Sequence, residues 1–143
     1  MKLSSLFLAT IFAVAVIAVL LMVLGVNFRP PLPAQGAALY NPANEVLVKG
    51  VVGKIRDFAC PVSEGEMGSH LMLNTAEGAV TIHLAPGRIL RSQEITFAPG
   101  DQVAVVGSKV RIQGSADVIA REITRWNEIF VMRDREGKLM LVQ

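Results

Sequence analysis

His70-Leu71-Met72-Leu73-Asn74-Thr75 and Ala79-Val80-Thr81-Ile82-His83-Leu84 flank Ala76-Glu77-Gly78, two runs of alternating side chains around a turn in which Gly78 supplies the positive φ. Side chains in a strand alternate between faces, so Leu71, Leu73, Val80, Ile82 and Leu84 share a core face. The same alternation sends His70, Met72, Asn74, Thr81 and His83 to the other face. With a short turn the two histidines are directly opposed or diagonal, roughly 4.5–8 Å apart at Cβ.

Working outward, Glu45 to Phe58 is rich in β-branched residues and long for a strand, with Gly50 and Gly53 where a bulge or bend belongs. A curled first strand is expected there, followed by a loop from Cys60 to Ser69. Beyond the hairpin, Ala85-Pro86-Gly87 is a stop and Arg88 to Thr96 reads as a short helical turn. Pro99-Gly100-Asp101 turns the chain into strands at Gln102–Ser108, Lys109–Ile112 and Asp117–Trp126. Ile129–Arg133 and Lys138–Val142, around Asp134-Arg135-Glu136-Gly137, read as a second hairpin. Short strands punctuated by turns every ~8–12 residues, without an amphipathic helix, predict a mainly β fold, a small antiparallel barrel closed by a C-terminal hairpin.

Leu6 to Val26 is an uncharged apolar run of 21 residues, long enough as a helix to cover the ~30 Å of a bilayer's hydrocarbon core. Secretory signals have apolar cores of ~7–15 residues, so a retained single-pass anchor is expected. The division that follows is a tail at 1–5, a transmembrane helix at 6–26, a Pro-rich spacer at 27–44 and the barrel domain at 45–143. Lys2 precedes the helix and Arg29 follows it. The positive-inside bias then points to a cytoplasmic tail and a periplasmic domain at the bacterial inner membrane or a specialised internal membrane.

The chain carries 14 basic and 12 acidic residues; setting Lys2 and Arg29 aside leaves the domain at 12 of each. That balance argues against nucleic acid. Cys60 is the sole cysteine, which leaves a buried inert thiol or a homodimer linked through Cys60, the former favoured beside Ala59 and Pro61. No C-x-x-C or C-x-x-C-H is present, so neither a thioredoxin-type site nor a covalent c-type haem site exists.

The curled strand, hairpin, helical linker and closing strands resemble the five-stranded OB-fold over Glu45 to Arg125. The carriers are His70 to Leu84, Gly100-Asp101-x-Val103-x-Val105-x-Gly107 and Ala120-Arg121-x-Ile123. Anchor, spacer and barrel together resemble the haem chaperone of bacterial cytochrome c maturation. That family's His-x-x-x-Tyr motif has no counterpart: Trp126-Asn127-Glu128-Ile129-Phe130 stands in its region, and the only Tyr is Tyr40, in the spacer. The resemblance therefore implies fold and topology without haem chemistry. The architecture also resembles bare OB-like envelope proteins and accessory proteins of specialised membranes such as magnetosomes, with no motif selecting either.

For chemistry, His70, His83 and Met72 form a candidate set for copper or another transition metal, against the plain reading of a polar outer face with too few ligands. Ser63, Ser69, Ser92, Ser108 and Ser115 lie in no nucleophile signature, and catalysis is not expected. Trp126 and Phe130 are expected to plug the barrel end, the alternative being an exposed patch for a partner. Arg121, Arg125, Arg133 and Arg135, interleaved with acids, are expected on a solvated surface. The leading expectation is a non-catalytic accessory tethered to the bilayer through residues 6–26. It would bind a membrane or periplasmic protein through the outer hairpin face (His70, Met72, Asn74, Thr81, His83) and the Cys60–Ser69 loop. Metal handling is the alternative; glycan binding, from fold analogy alone, is a third. Truncation after residue 34 is expected to leave a soluble, folded domain with a β-type circular dichroism spectrum; insoluble or unfolded material would contradict domain independence.

Overall fold

A computed structural model describes residues 10, 11, 13–16 and 39–141, in a chain that divides into two units, residues 1–32 and 33–143. In the first unit Thr10, Ile11 and 13–16 are helical. Among the described residues no helix is long and apolar enough to cross a membrane; most of the expected span, 6–26, lies outside them.

The second unit is built on β1 (Glu45–Ala59), a 15-residue strand that serves two partners. Its first half pairs antiparallel with β4 (Gln102–Ile112), from Glu45↔Ser108 to Val51↔Gln102. Its second half pairs with β2 (Met67–Thr75), from Val51↔Asn74 to Ala59↔Met67. The bend between them falls at the two expected glycines. Gly53 sits in the register shift between Val52↔Leu73 and Lys54↔Met72, and a Cβ at Gly50 would overlap the Asn74 carbonyl. The strand is curled and bulged, as the glycines predicted.

The central hairpin joins β2 to β3 (Gly78–Pro86) with Leu71↔Ile82, Met72↔Thr81 and His70↔His83 in register. Gly78 has φ 124° and pairs with Thr75 as the first residue of β3, so the loop is two residues rather than three. The helical linker, α1 (Gly87–Ser92), is shorter than expected. β4 is one continuous strand and not two, because a bulge at Val106/Gly107 absorbs the change of register against β5 (Ser115–Arg125). The second hairpin is only partly formed: β6 (Glu128–Val131) pairs with β5, and an isolated bridge Arg133↔Leu139 stands where its return strand was expected.

The sheet order is β3-β2-β1-β4-β5-β6, with a further pairing of β3 to β5. That contact is parallel and short, Ile82↔Val118 and His83↔Ile119, and it closes the first five strands into a barrel of OB-like topology. Leu71, Leu73, Ile82, Leu84, Val105 and Ile123 fill the interior. A second buried cluster of Tyr40, Cys60, Val62 and Ile119 is separate from it.

Two expectations are corrected. Trp126, the expected plug, is 73% exposed; it occupies the β5–β6 turn with φ 53°, a place that turns its side chain out of the core. Phe130 is half-buried against Phe97, ring centroids 5.5 Å apart. Arg133, expected in solvent, is buried. Its guanidinium donates to the carbonyls of Leu84 on β3 and Ala120 on β5, the residues following the two-pair contact between these strands, and so extends their junction. Arg133→Met leaves both carbonyls without that donor. At about 1–3 kcal/mol for a buried unsatisfied group, urea denaturation should show a loss of roughly 2–4 kcal/mol; an unchanged midpoint would show that the clasp contributes nothing.

Candidate functional site

The hairpin register makes His70 and His83 a cross-strand pair on the side of the sheet away from Leu71 and Ile82. Both are nonetheless buried, to 1% and 2% relative exposure, because the chain after β1 folds back over them. Cys60 leads into a 3-10 turn at Pro61–Ser63, and Glu64 and Gly65, with φ 57° and 83°, reverse the backbone so that β2 can start at Met67. Cys60, Val62 and Ser63 are thereby buried. Phe58, the penultimate residue of β1, stacks on the His70 ring at 3.6 Å between centroids and 7° between planes. An Arg88–Glu66 ion pair, 2.8 Å, ties the segment to α1.

The result is a compact centre around one sulfur. Cys60 Sγ lies 3.2 Å from His70 Nε2 and 3.5 Å from His83 Nδ1, and one ligand atom from each residue falls within 4.8 Å of the others. The imidazoles meet edge to face, 4.6 Å apart at 83°.

The outer nitrogen of each ring has a partner that can only accept. His70 Nδ1 is 3.3 Å from the Arg56 carbonyl oxygen, and His83 Nε2 is 2.8 Å from Asp117 Oδ2. Those nitrogens carry the hydrogens, so in neutral imidazoles the lone pairs of His70 Nε2 and His83 Nδ1 both point at Cys60. Asp117 reaches His83 because β3 and β5 pair there, and Ser115 Oγ steadies it by donating to Oδ1 at 2.6 Å. Ser63 Oγ donates at 2.7 Å to the Glu66 carbonyl, so its hydrogen is committed elsewhere. A thiol has one hydrogen to offer two lone pairs. With both rings neutral one of those lone pairs is left without a hydrogen, and a proton or another cation would complete the set.

The electrostatics agree. Burial pushes the Cys60 thiol up, but hydrogen bonds with His70, His83 and Ser63 outweigh it and set its pKa at about 5. Burial alone would lower His83, yet its bonds to Cys60 and Asp117 raise it above the usual imidazole value. Arg133 lines the same pocket as Cys60, His70 and His83. Burial brings its pKa down to about 10, against the pull of Tyr40 and Cys60, and it remains charged at neutral pH.

Of the residues singled out in the sequence, His70 and His83 come together. Met72, half-buried, lies two residues along β2, its sulfur 3.6 Å from the Thr81 hydroxyl, while Asn74 is exposed near the turn. The expected binding face is thus split: its histidine end is roofed by the very loop expected to flank it as an open surface. Sequence reasoning missed the roles of Cys60, Asp117 and Phe58. The signal for Cys60 was there, since a loop carrying the apolar Val62 beside Cys60-Pro61 has reason to bury itself on the adjoining hairpin.

No curated protein sequence matches the chain. Solved structures similar to it include the Stn1–Ten1 complex of S. pombe, at 14% identity and TM-score 0.46 over 59% of this chain and 59% of that one. Another is the OBody AM3L09 bound to hen egg-white lysozyme, at 19% identity and TM-score 0.44 over 64% and 92%. At these values the likeness carries nothing about ligands, and neither comparison supports the kinship with the haem chaperone. The sequence profile of the MamS/MamX magnetosome protein family matches residues 45–130. That span runs from the start of β1 into β6 and takes in Cys60, both histidines and Asp117; it is more than half of the chain, and the protein belongs to the MamS/MamX magnetosome family.

Proposed function

We propose that the chain is a non-catalytic accessory protein of the magnetosome membrane whose OB-like barrel binds a transition-metal ion through Cys60 Sγ, His70 Nε2 and His83 Nδ1. The observation that carries this reading is the convergence of two imidazole lone pairs, each fixed by an acceptor behind the ring, on one thiol of depressed pKa. Ligating histidines commonly donate their remote N–H to a carboxylate or backbone carbonyl, the arrangement at His83 and His70. Bond lengths of about 2.3 Å to sulfur and 2.0–2.1 Å to nitrogen place S and N of one ion about 3.5 Å apart at a tetrahedral angle and about 3.8 Å apart at a trigonal one. The observed 3.2 and 3.5 Å need little adjustment. The sulfur donor proposed here is Cys60, with Met72 outside the set.

The apolar run 6–26 supports tethering to the bilayer, with the Pro-rich spacer setting the barrel a short distance from it. A protein-docking role has its own support at the other end of β5, where Trp126, Ile129 and Val131 are 73%, 64% and 44% exposed. These side chains belong to β6 and the turn before it, so docking there would leave the metal centre untouched.

The full chain, purified in mild detergent and reconstituted, should bind one transition-metal ion per protein by elemental analysis. Cys60→Ser, His70→Ala and His83→Ala should each abolish or sharply reduce that stoichiometry, while Met72→Ala retains it; equal retention by all four would sink the assignment. Binding should also release protons in a defined number. A thiol with pKa about 5 is already a thiolate at pH 7 and contributes none. His83, whose pKa is raised, must give up the proton on Nδ1 before it can ligate. A pH-indicator titration near pH 7 should show release of up to about one proton per ion, declining as pH rises above the His83 value. Release that stays at one proton per ion well above the His83 value would mean that the thiol, not the imidazole, is the protonated partner.

A further inference from the structure

We infer that the ion selected by this centre is monovalent copper, held by three protein donors; this deepens, and rests on, the metal-binding reading above. Three features point to it. The donor set is one thiolate and two imidazoles, a combination that suits soft or borderline ions and is the in-plane set of trigonal copper sites. The surroundings offer no ready fourth ligand. Ser63 Oγ, 3.4 Å from Sγ, is a neutral hydroxyl and a hard donor ill suited to a soft ion, and Asp117 is turned to the far nitrogen of His83. Zinc sites are almost always four-coordinate, and a three-ligand zinc centre keeps an open position for water. Here Cys60, His70 and His83 are 7%, 1% and 2% exposed, with the Phe58 ring against His70.

The third feature is charge. The buried groups at the centre are the Cys60 thiolate, the Asp117 carboxylate and the Arg133 guanidinium, which together leave a single negative charge when both imidazoles are neutral. A monovalent ion brings the centre to neutrality, whereas a divalent ion leaves a net positive charge in a region water cannot reach, which is unfavourable. Ferrous iron fails on the same two counts, since its sites add oxygen donors and open positions to their histidines.

The test uses the full chain in mild detergent under anaerobic, reducing conditions. Cu(I) is titrated against a chromophoric Cu(I) chelator, Zn(II) and Fe(II) against their own chelators, and the copper-loaded protein is then measured by X-ray absorption. One Cu(I) per chain, with one sulfur and two nitrogen neighbours and no fourth ligand, is the expected result. Equimolar Zn(II) or Fe(II) should fail to displace it. Asp117→Asn, which keeps the size but weakens the acceptor behind His83, should lower Cu(I) affinity by about 10- to 100-fold, the usual cost of losing such a partner. A four-coordinate Zn(II) or Fe(II) that Cu(I) does not displace would overturn the selectivity and leave the metal site standing. No stoichiometric binding of any of the three ions would overturn the site itself.

Discussion

The parallel contact between β3 and β5 is the constraint on which the rest depends. It consists of two residue pairs, Ile82↔Val118 and His83↔Ile119, yet it turns an open sheet into a barrel and sets Asp117 behind His83. Strands that meet across 30 or more residues must overcome the entropy of closing the loop, and two pairs of residues are a small return. Arg133 supplements them. By donating to Leu84 on one strand and Ala120 on the other, its guanidinium continues the junction where the backbone ladder stops. A buried cation is costly unless compensated, and the Cys60 thiolate lining the same pocket offers the opposite charge. Closure of the barrel and the charge balance of the centre thus share one residue, Arg133.

The second constraint is that one wall of the barrel is buried on both sides. The inner side carries the main core; the outer side carries Ile119, Cys60, Val62 and Tyr40. A barrel of this size ordinarily leaves its outer surface to water. Here the fold-back after β1 and the chain around Tyr40 cover part of it, and the histidines lie beneath that cover. Tyr40 Oη bonds the Glu45 carboxylate, which also accepts from Arg121 Nε at 2.7 Å. The segment before β1 is thus fixed by a polar network as well as by burial. Apolar burial here supplies the low dielectric that makes an unpaired lone pair at the thiol expensive.

What was legible in the sequence follows from locality. Period-2 alternation in Leu71–Leu73 and Val80–Leu84, together with one short turn, was enough to place the core face and to make His70 and His83 neighbours. Gly50 and Gly53 marked the bend in β1: a Cβ at Gly50 would run into the Asn74 carbonyl and one at Gly53 into the Asn74 side-chain amide. The continuity of β4 was hidden by a bulge, which interrupts alternation without ending the strand. Trp126 misled because aromatic size suggests burial on average, while a left-handed turn position decides the matter locally. Asp117 and Arg133 could not be placed, since their roles exist only once β3 and β5 have met. The loop at Cys60 has no period to read, and its destination was set by the surface it covers.

Cys60, His83 and Asp117 also stand in the order of nucleophile, base and orienting carboxylate, and the distances of 3.5 and 2.8 Å do not by themselves separate that arrangement from a metal centre. His70 does. A nucleophilic pair has no use for a second imidazole lone pair 3.2 Å from the same sulfur, fixed there by a backbone carbonyl behind it and an aromatic ring against its face. Acyl transfer further requires an approach to the sulfur and donors arranged around a developing oxyanion, whereas the polar partners of this sulfur are two ring nitrogens and the oxygen of Ser63. Three donors converging on a buried sulfur fit the proposed ion more closely than an attacking thiolate, whose reaction needs an approach to that sulfur.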